Sequence, residues 1–181
     1  MKIIQAFFIA TSICMMQCSE IKNDRSPSVN DFLLLVNDST DQFSYQNLRG
    51  EVVIAPGKYI LCLTDTFRNH AMVMKANEGF MVIDRQEKAL YEVFNYDNGP
   101  DYPSDGLFRI IQHGKIGYAD AETYEIVIQP QFDCAFPFET GKAKVSNQCK
   151  TEKLGEHNSW TSDKWQYIDT KGKEIGAPKT D

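Results

Sequence analysis

The chain has 181 residues, a net charge of −6 at pH 7, 42% hydrophobic and 24% charged residues, proportions of a folded domain or short repeat array rather than a disordered segment. The acidic balance and the absence of any Lys/Arg cluster argue against a nucleic-acid partner, because gripping phosphates needs a basic face. Eleven Phe and eight Tyr weight the composition toward β structure.

The chain opens on an address. Lys2 is followed by IIQAFFIATSICMM, an apolar run long enough for a signal peptide and short for a membrane span. Residues 1–17 are therefore expected to be a signal peptide. Met15-Met16-Gln17-Cys18 stands where a bacterial lipoprotein signal ends, with Met15 and Gln17 departing from the usual leucine and small residue. Cys18 is the expected lipidation site; a plain secretory signal or an uncleaved anchor are the alternatives. Each places the body outside the cytoplasm, membrane-anchored in the cell envelope (periplasmic or surface-exposed) or secreted. Residues 18–30 then read as the lipid-anchor cysteine and a polar, Pro27-containing flexible tether. Beyond Cys18 the downstream cysteines are Cys62, Cys134 and Cys149, an odd set, so no disulfide framework is expected. Cys134 and Cys149 flank one glycine turn, and an oxidising compartment would let them pair, but unpaired thiols are the expectation.

The body, 31–178, starts with the apolar run Phe32–Val36, expected to be a buried strand. After it come landmarks that repeat. Tyr45, Asn47, Val53-Ile54 and Pro56 line up with Tyr118, Asp120, Val127-Ile128 and Pro130. Asp84 and Asp120, Asp97 and Asp133, and Gly106 and Gly141 keep a period of about 36 residues. Repeats are placed near 43–79, 80–116 and 117–147, with a partial one at 164–178 and an inserted polar loop at 148–163 that carries Trp160. In the best-formed unit, Ile126-Val127-Ile128 is a β-branched strand that Pro130 is expected to end. Asp120 and Asp169 open polar turns whose backbone N–H groups they can accept, and Gly141 and Gly172 suit positive φ. No long stretch shows helical periodicity.

The segment GKIGYADAETYEIVIQPQFDCAFPFETGKAKV, Gly114 to Val145, and its partial copies resemble the bacterial WG-repeat (KWG-repeat) family, whose unit runs roughly GYID, G, VI.P, YD.A, F.EG.A.V. The resemblance implies an all-β fold, an array of short antiparallel β-strand repeats. About three and a half WG-like units would form an open solenoid or a propeller-like stack.

Chemistry-bearing patterns are sparse. Asp97, Asp101 and Asp105 in DNGPDYPSDG lack the oxygen spacing of a calcium loop and read as an elongated turn. His70, His113 and His157 stand apart, with no zinc spacing, and no nucleophile or phosphate-binding motif occurs. No cofactor, no metal and no catalytic residue is expected. Aromatic residues are the better candidates: Trp160, Tyr91, Tyr96 and Tyr102 as ligand-binding residues, with Phe94 and Trp165 close by. The sequence thus points to a non-catalytic extracytoplasmic lipoprotein presenting a β-repeat surface to another protein. A cell-surface carbohydrate-binding module is the alternative, and a hydrolase with an unrecognised site a second.

Overall fold

A computed structural model describes residues 28–154 and 157–176. The expected signal peptide 1–17, Cys18, the tether up to residue 27 and the last residues of the partial repeat lie outside the described residues. Those described hold nineteen strands and no helix. In chain order they are β1 (Leu33–Asn37), β2 (Phe43–Gln46), β3 (Val52–Ile54), β4 (Leu61–Cys62), β5 (Thr66–Phe67), β6 (His70–Lys75), β7 (Gly79–Asp84) and β8 (Ala89–Val93). Then come β9 (Asn95–Tyr96), β10 (Gly99–Pro100), β11 (Leu107–Gln112), β12 (Lys115–Asp120), β13 (Ile126–Phe132) and β14 (Cys134–Ala135). The last are β15 (Lys142–Ser146), β16 (Lys150–Leu154), β17 (His157–Thr161), β18 (Gln166–Asp169) and β19 (Glu174–Ile175).

Four three-stranded antiparallel meanders repeat along the chain: β1-β2-β3, β6-β7-β8, β11-β12-β13 and β15-β18-β19. The second and third join through β8 and β11 into one seven-stranded sheet; the first and fourth each centre a four-stranded sheet. No sheet closes on itself. The array is all-β and open.

The hydrogen-bonded unit is offset from the unit read in sequence. Phe32–Val36, outside the first repeat in the sequence reading, supplies the first strand of the first meander. The strand after Gly141 belongs to the fourth meander, where β15 pairs with β18. Each full sequence repeat therefore ends by donating its last strand to the next meander, which ties neighbouring units together. The leading run is also less buried than expected: Leu33 is fully enclosed, but Leu34 faces outward, because a strand in a one-sided sheet alternates.

An Asx turn recurs in all four units, one residue longer in the third. At the end of each middle strand an Asx side chain folds back on the turn. Asn47 Oδ1 accepts from the N–H of Arg49 and Glu51, Asp84 from Gln86 and Lys88, Asp120 from Glu122 and Thr123, and Asp169 from Lys171 and Lys173. These bonds, led by the Thr123 N–H, hold the Asp120 carboxyl below the usual carboxylate range. A depressed folded pKa gives stabilisation that is present above the unfolded carboxylate's pKa and lost as pH falls through the folded value. Asp120→Asn, which copies Asn47, is expected to melt like the wild type at pH 7 with a weaker stability loss in acid. Asp120→Ala should lower the midpoint by about 2–4 °C, the effect of one net hydrogen bond. Thermal melts from pH 7 to pH 3 check both; equal behaviour of the two variants would exclude the turn role.

Pro130 does not end its strand: β13 runs through it, at a register shift against β12. A ladder N–H is not needed there, and opposite lies Gly117, where an added Cβ would meet the Ile128 carbonyl and come within 2.6 Å of the Pro130 nitrogen. The missing side chain and the missing N–H together make the bulge. Cys134 and Cys149 are paired rather than idle thiols. Cys134 sits opposite Ser146 in the β14–β15 ladder. The Ser146 hydroxyl then accepts the Gln148 N–H in a tight turn, which brings Cys149 back to a Cα–Cα distance of 6.2 Å. Cys62 is buried and unpaired.

Candidate functional site

The links between units build the site. Where one meander hands over to the next, a link residue donates its backbone N–H to the third residue of the next first strand. Leu63 bonds Met72, Phe94 bonds Arg109, and Phe136 bonds Lys144. Phe94 and Phe136 are thus equivalent positions of successive units, and each carries a cation over its ring: Arg109 at 4.1 Å and Lys144 at 5.9 Å. Links of different length hide this equivalence from a fixed sequence period.

The insertion 148–163 is not an irregular loop but a hairpin, β16–β17, in which Trp160 pairs across to Thr151. It grows from the place where the third meander has the tight turn His113-Gly114, a position that accepts added chain without disturbing the ladder. Trp160 is half-buried on β17, its ring edge-to-face with Phe94 at 5.9 Å and Phe136 at 5.5 Å. The disulfide ties the wall that carries Phe136 to the strand that carries Thr151. Below the hairpin, the Ser146 and Ser162 hydroxyls meet at 2.8 Å.

Phe94, Asn95, Tyr96, Arg109, Phe136 and Trp160 line a cleft of about 660 Å³. Arg109 is its buried floor. Its Nε and Nη2 groups donate to the Asp101 carboxylate and Nη1 donates to the Ala135 carbonyl at 3.2 Å. Phe136 is held on both sides: its carbonyl accepts the Tyr118 hydroxyl at 2.7 Å while the preceding carbonyl accepts Arg109. The rings forming the mouth therefore sit on fixed backbone.

Of the aromatic candidates, Trp160 and Tyr96 meet in the cleft, with Phe94 beside them and Trp165 tilted against Phe136 at 5.6 Å. Tyr91 does not belong there. It is buried, and its hydroxyl donates to the Tyr124 carbonyl at 2.7 Å, because its strand position points into the sheet's core. Tyr102 is 71% exposed but touches no other ring among the described residues. Phe136 and Arg109 were missed from sequence; the second Phe of FDCAFPF and an Arg in the middle of an apolar strand were the available signals.

The acidic cluster separates in space. Asp101 is buried on Arg109, Asp105 accepts the Gly141 N–H at 2.7 Å, and Asp97 turns the chain with φ 48°. His70 and His113 border a second depression together with Glu125, yet His70 Nδ1 lies 3.1 Å from the Thr123 carbonyl and neither ring bonds a carboxylate. That depression presents no assembled proton-transfer pair.

No curated protein and no solved structure matches the chain. Residues 116–148, from β12 through β15 and its following turn, match the family model described as WG containing repeat, so the chain carries a β repeat of the WG kind.

Proposed function

We propose that this is a non-catalytic binding protein of the cell envelope, held to a membrane through a lipid on Cys18, that docks a protein partner in the aromatic cleft. One observation carries the reading: Phe94, Phe136 and Trp160, from two unit links and an inserted hairpin, converge on one cleft whose only lining charge among the described residues is tied to Asp101. Fixed rings around a neutral floor suit recognition of an apolar segment. The glycan reading has less support, because Trp160 stands at 74° to Phe94 and 78° to Phe136, whereas a sugar face needs a flat platform.

In-cell crosslinking of the full chain tests it. Phe136→Ala with Trp160→Ala should remove one discrete crosslinked adduct, while Cys18→Ser should shift the chain out of the membrane fraction. An adduct pattern unchanged by the double substitution would sink the cleft reading. Persistent membrane association after Cys18→Ser would sink the anchor.

A further inference from the structure

Two residues of the cleft, Arg109 and Trp160, carry unused donors. A guanidinium carries five N–H groups, and three of Arg109's are engaged, two on Asp101 and one on Ala135. One N–H on Nη1 and one on Nη2 have no acceptor among the described residues, although Arg109 is only 3% exposed. The Trp160 indole N–H likewise makes no hydrogen bond among the described residues. Arg109 is already neutralised by Asp101, so a carboxylate ligand would bring an uncompensated charge into a desolvated floor, and a neutral acceptor would not.

Resting on the reading that the cleft is a binding site, we infer that it takes an extended, proline-containing peptide whose carbonyl oxygens accept from Arg109 and Trp160. Proline has no backbone N–H to leave unpaired against these two donors. A polyproline II chain spends none of its carbonyls internally and arrives with little conformational freedom to lose. Its ring faces pack against aromatic walls, the way such chains are held elsewhere. A sugar face prefers coplanar rings, which Phe94, Trp160 and Phe136 do not offer.

The test uses the full chain in detergent with Trp165→Phe, which leaves Trp160 as the sole tryptophan. Blocked deca-proline, a blocked uncharged alanine–glutamine decapeptide and chitohexaose are titrated against Trp160 emission. Deca-proline alone should give a saturable change. Arg109→Lys, which keeps a cation for Asp101 but loses the fork, should weaken it about tenfold, and Phe136→Ala should weaken it as well. Tyr102→Ala, outside the cleft, should leave it unchanged. Thermal melts establish that each variant is folded, and Phe136→Ala decides the matter if Arg109→Lys is not. No saturation with deca-proline, or equal affinity in the folded variants, overturns the inference. Saturation with chitohexaose or the control peptide alone also overturns it while the cleft stands as a binding site. Silence in every arm removes both.

Discussion

Gly117→Ala is expected to destabilise the protein by more than about 3 kcal/mol, or to prevent folding. The added methyl would run into the Ile128 carbonyl and the backbone at Pro130, and neither is a flexible side-chain end that can swing away. For a chain of this size, that corresponds to a midpoint lowered by about 6–12 °C or more. Gly106→Ala is the control. Gly106 has φ 78° with nothing within 4 Å of an added Cβ, so only the left-handed strain of about 1 kcal/mol is at stake. Equal effects of the two would mean that the β12–β13 bulge is not closely packed.

Ending the chain after Ser162 is expected to abolish cooperative unfolding or cause aggregation. The deletion removes β18 and β19, hence the partner of β15 along Lys142–Val145. It also removes Ile168, which is 3% exposed and packs with Tyr118, Phe138 and Val145. Burying such a side chain is worth about 1.5–3 kcal/mol, and the newly open edge of β15 would invite pairing with another chain. Gly172, whose added Cβ would stand 3.3 Å from the Ile128 side chain, shows how closely the fourth unit lies on the third. A shortened chain that stays monomeric and two-state near the wild-type midpoint would show the fourth meander to be dispensable.

The fold was legible where one residue type answers one local demand. Asn47, Asp84, Asp120 and Asp169 mark the end of each middle strand because an Asx side chain closes that turn. The β-branched run Ile126–Ile128 and the glycines at 141 and 172, both with φ 79°, likewise act locally. Strand partnership was not local. Nothing in the order of residues says that Lys142–Ser146 leaves the sheet of its own repeat for the next, so the hydrogen-bonded unit came out offset. Pro130 misled for the same reason: its effect depends on Gly117, thirteen residues away across a bulge.

The candidate cleft was half legible. Trp160 stood out as a large aromatic in a polar insertion, and Tyr96 as one of a cluster of rings close in sequence. Tyr91 looked identical in sequence, and only its strand face sends it inward. Phe136 and Arg109 were hidden because their roles come from equivalence between unit links of different length. The insertion concealed its hairpin because its strands are polar and pair only with each other.

The indole ¹⁵N–¹H spectrum of the full chain decides whether Phe94, Phe136 and Trp160 form one ligand-binding cleft. Two tryptophans give two indole signals, and Trp165→Phe assigns them. The Trp160 signal is expected to show cross-relaxation to the rings of both Phe94 and Phe136 and to shift more than the other indole signal on titration with deca-proline. A Trp160 signal without contact to either ring, unmoved by deca-proline and by every other ligand offered, would contradict the cleft reading.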